Sequence, residues 1–118
     1  MSRTELQEIG QAGEDRALVY LQQQGLRLVE RNFLCKVGEL DLIMREGERL
    51  VFVEVRERNN PLYGGAAASI SPAKQRRIVR AARFYLLRFA KMPPCRIDVV
   101  AIDGERINWL RNAIIDQM

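Results

Sequence analysis

The chain has 118 residues, 47% of them hydrophobic and 29% charged, with a formal net charge of +4. That balance fits one globular domain over 1–118 with one core, excludes a disordered chain, and leaves no apolar run long enough to cross a bilayer. Histidine is absent, which excludes histidine metal sites and every triad or nuclease with a His base, so any chemistry rests on carboxylates, Lys, Arg, Tyr, Ser or a bound metal.

The polar start, MSRTELQEIG, has no signal-peptide core, and a soluble cytoplasmic protein is expected. Thr4 and Gln7 have capping-box spacing, which predicts a helix from Thr4 to about Gln24, stopped by Gly25. Leu6, Ala17, Tyr20 and Leu21 share one face of it, and Glu14 lies at the edge of that face. Gly10 and Gly13 weaken the helix but permit close approach of another backbone. Leu26–Phe33 reads as a strand that carries neither of the two cysteines, Cys35 and Cys95, which form no disulfide framework or zinc site.

Leu40–Met44 and Leu50–Arg56 read as a hairpin turned at Glu46-Gly47-Glu48. Asn59–Ser69 is a loop of small and turn-forming residues. Ser71 caps a helix that opens on Pro72 and runs to about Ala90, before Pro93-Pro94. Arg96–Ile102 is a fourth strand, Asp103-Gly104 a turn, and Arg106–Leu110 a short edge strand. The order α-β-β-β-α-β predicts an α/β fold, a mixed sheet with flanking helices in which one crossover helix makes the third and fourth strands parallel.

Strand alternation puts Glu39, Asp41 and Ile43 on one face of the second strand and Leu40, Leu42 and Met44 on the other. In the third strand Phe52, Glu54 and Arg56 share a face. A hairpin that sets Asp41 near Glu54 brings together two carboxylates and a cation, with Glu14 as a third acid. Converging carboxylates suit a hard divalent cation such as Mg²⁺. A buried Glu54–Arg56 ion pair without function fits the same pattern about equally well.

The residues Gly13-Glu14, Arg31-Asn32, Gly38-Glu39-Leu40-Asp41-Leu42-Ile43, Val51-Phe52-Val53-Glu54-Val55-Arg56, Tyr63-Gly64-Gly65-Ala66, Lys74-Gln75 and Arg96-Ile97-Asp98-Val99-Val100 span nearly the whole chain. In them the chain resembles the YraN-like protein family. That family is similar in turn to the Holliday-junction resolvases and the wider PD-(D/E)xK nuclease superfamily, and the resemblance implies a restriction-endonuclease-like core. It further implies that Asp41 and Glu54 bind Mg²⁺ or Mn²⁺ and that Glu14 is the helix-borne acid of many members. The superfamily has a Lys two residues after the Glu to position the attacking water, and here Arg56 stands in its place. The YraN-like resemblance implies Lys or Arg there. An Arg binds phosphate through its planar fork but cannot exchange a proton. Lys74, on the helix after the glycine-rich loop, is the second candidate for the role.

No Asp or Glu occurs between Arg58 and Ile97, although eleven of the fifteen acids precede residue 58. That acid-free stretch holds Arg58, Lys74, Arg76, Arg77, Arg80, Arg83, Arg88, Lys91 and Arg96, which suggests a polyanionic partner. On the second helix Ile78, Ala82, Tyr85 and Phe89 form an apolar stripe with Leu86 beside it, while Arg76, Arg80 and Arg83 lie opposite with Arg77 and Lys91 adjacent. A solvated surface is the plain reading of that basic face, and contacts to DNA phosphates are the functional one. Gln75, on the apolar side, needs a partner: a metal-bound water, a scissile phosphate, or a backbone group near the helix start. Phe84 and Leu87 project toward the basic side as a dimer contact or as scattered apolar surface residues. The Tyr63–Ser69 stretch lacks the Lys-Ser/Thr ending of a P-loop, so no nucleotide cofactor is expected.

Three functions fit: a metal-dependent endonuclease, a nucleic-acid-binding protein without cleavage, and an interaction module of a DNA-processing complex. The resolvase resemblance implies branched DNA as substrate and a homodimer.

Overall fold

The computed structural model describes the backbone of residues 3–58 and 70–116 and, within these, the side chains from residue 11 onward. The elements are α1 (Arg3–Gln23), β1 (Arg27–Cys35), β2 (Gly38–Glu46), β3 (Arg49–Arg58), α2 (Pro72–Leu86), β4 (Cys95–Asp103) and β5 (Arg106–Ile114). They build the α-β-β-β-α-β core, with β5 added at one edge. The five strands lie in the order β1-β2-β3-β4-β5. Neighbours are antiparallel except β3 and β4, which the α2 crossover makes parallel. No helix among the described residues is long and apolar enough to cross a membrane.

Each helix covers one face of the sheet. Ala17 and Leu21 of α1 pack with Leu42, Met44, Val51, Val53, Val100 and Ile102. Ile78, Val79, Ala82 and Tyr85 of α2 pack with Ile43, Leu50, Phe52, Ile97 and Val99. Burying a side chain such as Phe52 stabilises the fold by about 2 kcal/mol. Gly38 lets α2 close down on the sheet, because a Cβ there would stand 2.8 Å from the Arg77 carbonyl oxygen. At Gly13 the close neighbour is the Glu57 side chain, whose Oε2 would lie 2.4 Å from a Cβ, and not a backbone.

Three expectations are corrected. The second helix ends at Leu86 instead of near Ala90. The chain there must turn back to feed β4, and Pro93-Pro94 prevent helical continuation. Arg88 closes that end, with Nε donating to the Tyr85 carbonyl and the guanidinium 3.7 Å from the Tyr85 ring centre. The last strand extends to Ile114, past an Asn112 with φ of 52°, where the pairing register shifts. Finally, Leu40 does not share the face of Leu42 and Met44 but joins the α2-side core.

The Leu40 reversal has a local cause. Across from it, Arg31 pairs with Leu42 and Phe33 with Leu40. Arg31 reaches α1, whereas Phe33 packs on Tyr85 of α2 at 5.2 Å. Residues two apart in a regular strand face the same way. Between these two sits Asn32 at φ 52°, a left-handed conformation that breaks the alternation. Both strands of the pair therefore change faces at the level of Asn32 and Asp41.

Candidate functional site

The β2–β3 ladder runs from the turn as far as Leu42 opposite Val53. One further step in that register sets Asp41 opposite Glu54. Asp41 leaves the regular ladder and its Oδ2 accepts the backbone N–H of Val55 at 2.8 Å. Glu54 alternates with Phe52 toward α2 and is only 3% exposed. Two cations meet the same Glu54 oxygen: Arg56 Nη1 at 3.7 Å and Lys74 Nζ at 3.8 Å from Oε1. Lys74 is brought there by the start of α2, where the Ser71 hydroxyl accepts the Lys74 backbone N–H at 3.1 Å.

These cations do not offset what burial and the second acid do. Burial first, and then the Asp41 charge, push the Glu54 carboxyl up to about 8, against Lys74 and Arg56. Glu14 is raised as well, again by burial first and Asp41 second, with Arg31 opposing. Glu14 arrives from α1 and is held by β1: Arg31 Nη2 lies 3.5 Å from its Oε1 and 2.8 Å from Asp15 Oδ1. In the amide orientation that satisfies its hydrogen bonds, the Asn32 side chain donates to both Glu14 oxygens, at 3.0 and 3.2 Å.

Glu14, Asp41, Glu54, Arg56 and Lys74 thus come from four elements to one end of the sheet. Among the described residues no three His, Cys, Asp or Glu side chains stand close enough to cage a metal. The close pair is Asp41–Glu54, with Glu14 on the Asp41 side. A buried carboxylate pressed against another, with oxygen donors only, fits a hard divalent cation.

The basic surface is adjacent. Arg76, Arg77 and Arg80 are exposed on α2, and no carboxylate pairs with them among the described residues. Arg83 instead forms a two-point pair with Asp116, its Nε donating to Oδ2 at 2.7 Å. Gln75 takes the backbone alternative, donating to the Ile70 carbonyl at 3.2 Å. Arg58, half-buried, ends β3 four residues past Glu54, and its carbonyl accepts the Gly104 N–H. Phe84 and Leu87 are exposed, 40% and 78%, with Phe84 touching the Phe33 ring. The Tyr63–Ser69 loop lies outside the described residues.

Sequence reasoning missed two arrangements. The Asn32–Glu14 contact is signalled only by an Asn inside a strand pattern. The other is a network around the buried Asp98, which accepts from Arg96 Nε at 3.0 Å, Trp109 Nε1 at 2.9 Å and the Asn112 N–H at 2.8 Å. Its sequence trace is an acid in the middle of an apolar strand.

Comparison with known proteins is consistent across the chain. Residues 13–102 match the model of the uncharacterised protein family UPF0102. A UPF0102 protein of Janthinobacterium sp. (strain Marseille) is 61% identical over 112 residues, covering 95% of this chain and 91% of its own. Similar proteins from Herminiimonas arsenicoxydans and Alkalilimnicola ehrlichii are 58% and 59% identical, covering 95% and 90% of this chain and 90% and 86% of theirs. The chain therefore belongs to the UPF0102 family, the YraN-like proteins that its motifs resemble.

Proposed function

We propose that this protein is a metal-dependent phosphodiester hydrolase, an endonuclease of the PD-(D/E)xK kind acting on structured DNA. The observation that carries the reading is the meeting of Asp41 and Glu54 beside Lys74 and Arg56. Asp41 and Glu54, with help from Glu14, would hold Mg²⁺ or Mn²⁺. A divalent cation bound there supplies charge neutralisation at the phosphate and acidifies water.

The remaining work falls to the chain's own groups. Lys74 and Arg56 bring two positive charges to one Glu54 oxygen, where they can stabilise negative charge that develops on a phosphate. Lys74 can also exchange a proton, which Arg56 cannot. Arg76, Arg77 and Arg80 on the exposed face of α2, with Arg58 at the end of β3, would hold the backbone without reading sequence. A homodimer would present two such sites to a branched substrate.

A second reading is supported by Arg56 itself: a nucleic-acid-binding protein on this fold without turnover. The test is incubation with labelled four-way junction, flap, single-stranded and duplex DNA in Mg²⁺ or Mn²⁺, beside Glu54→Gln and Asp41→Asn. Cleavage is expected for the parent, and none for either variant or in EDTA, while the variants still bind DNA. Cleavage by both variants at the parental rate would refute the site. Binding without cleavage by the parent would select the second reading.

A further inference from the structure

We infer that Asn32 is a positioning residue of this site, set there by a left-handed backbone that turns β1 and β2 through the level of Asp41 and by an amide that holds the Glu14 carboxylate on the Asp41 side. The inference rests on the proposed metal-binding reading and assigns a role to a residue outside the acid and base set.

Three observations converge on it. The first is conformational. Asn32 has φ of 52° in the middle of a strand, a region that costs a non-glycine residue on the order of 1 kcal/mol and that Asn tolerates better than most. The second is topological. Arg31 and Phe33 face opposite layers, and their partners Leu42 and Leu40 follow them. Asp41 is the residue at that change of face, which frees its carboxylate from the ladder to reach the Val55 N–H. The third is the contact itself: both Glu14 oxygens lie within hydrogen-bond distance of the Asn32 amide, with Arg31 beside them.

A plain tie between helix and strand explains less. Ala17 and Leu21 are completely buried under α1 and already dock that helix. Docking needs no reversed strand, and no neutral amide aimed at a carboxylate. A neutral double donor has a specific merit here. It fixes the direction of Glu14 while leaving its negative charge available to a cation, where a second Arg would neutralise it.

The experiment separates backbone from amide. Asn32→Gly keeps the left-handed conformation and removes the amide; Asn32→Asp keeps the shape and turns donors into acceptors. Mn²⁺ alone is titrated calorimetrically into the parent, both variants, Glu14→Gln and the Asn32→Gly/Glu14→Gln double variant, with thermal unfolding in parallel. Asn32→Gly should melt near the parent but bind Mn²⁺ roughly 10-fold more weakly. Asn32→Asp should bind at least as weakly. The double variant should lose no more than Glu14→Gln alone, because both changes remove one interaction.

Parental Mn²⁺ affinity in Asn32→Gly, or losses that multiply in the double variant, would overturn the assignment. Should Asn32→Gly fail to fold, Asn32→Asp decides by the same affinity criterion. If the parent itself takes up no Mn²⁺, the metal reading falls, and crystal structures of parent and Asn32→Gly decide the clamp. A Glu14 rotamer that points to Asp41 in both would overturn it; one that scatters only in the variant would support it.

Discussion

Asp98 and Glu54 sit on the neighbouring parallel strands β4 and β3, 0% and 3% exposed, and their surroundings treat them in opposite ways. Among the described residues Asp98 accepts from three donors: Arg96, the Trp109 indole and the Asn112 backbone. Arg96 is itself tied to Glu46 at 2.8 Å. Beside Glu54 stands another carboxylate, Asp41, and its two cations stand off at 3.7 and 3.8 Å. A carboxylate met by donors in this way helps hold a fold together, because the donors would be costly to leave without it. One less fully met is tolerated where something else is to bind. On the proposed reading, Asp98 is the structural acid and Glu54 the functional one.

The largest break of that contrast is Asp98→Ala. It leaves Arg96 Nε, the Trp109 N–H and the Asn112 N–H without this acceptor at a fully buried position, and should cost roughly 3–5 kcal/mol in urea unfolding. Loss well below 1 kcal/mol would mean that water replaces the carboxylate. Asp98→Ala should have no specific effect on Mn²⁺ affinity in the folded fraction.

Glu54→Gln should act in the opposite direction. With the folded carboxyl raised to about 8, the native protein binds a proton that the unfolded chain releases near its ordinary value. Stability is therefore full below that ordinary value and is lost as pH rises from there through about 8. Glu54→Gln removes the decline, so at pH 8 the metal-free variant should melt above the parent. Saturating Mg²⁺ should lift the parent at pH 8 and leave the variant unmoved. A parent that gains stability between pH 5 and 8 would contradict the placement of Glu54 against Asp41.

These two acids also mark what the sequence makes legible. Strand alternation and a tight turn suffice to bring Asp41 to Glu54, because hairpin register is a local property. The parallel β3–β4 pair follows from one crossover helix. The Asp98 network is not local: Trp109 and Asn112 come from β5 and Glu46, which holds Arg96, from β2, and only the assembled sheet joins them. Strict alternation puts Leu40 on the wrong face for a related reason. Alternation presumes a regular strand, and the interruption lies on β1, at Asn32, rather than on β2. The apolar stripe overextends α2 because it continues to Phe89, while the fold needs the residues past Leu86 to turn toward β4.

Packing between layers offers a smaller break that leaves both acids in place. Gly38→Ala would set a Cβ 2.8 Å from the Arg77 carbonyl oxygen, so α2 must move away from β2. The expected cost is about 1–3 kcal/mol. Lys74, on the same helix, would withdraw from Glu54, so cleavage should fall by more than the loss of folded protein accounts for. Cleavage that tracks the folded fraction alone would mean that Lys74 is dispensable and would shift the cationic role to Arg56.

The smallest effect concerns the surface that neither acid touches. Arg76 and Arg80 project from α2 on the side away from the Ile78–Tyr85 core, and no carboxylate forms an ion pair with either among the described residues. Surface cations left in this way gain little from the fold, so removing them should leave the melting temperature within a degree or two. Their effect belongs to binding. Each phosphate contact contributes about 0.9 to the slope of log affinity against log salt, so the double change Arg76→Ala/Arg80→Ala should reduce that slope by roughly 2 on duplex DNA. Arg83, engaged with Asp116, serves as the internal control. Its replacement should alter the slope less than either of the other two, since a guanidinium already held by a carboxylate gains less at a phosphate. An equal change from all three would mean that the Asp116 pair opens on binding, and an unchanged slope would remove α2 from the DNA-facing side altogether.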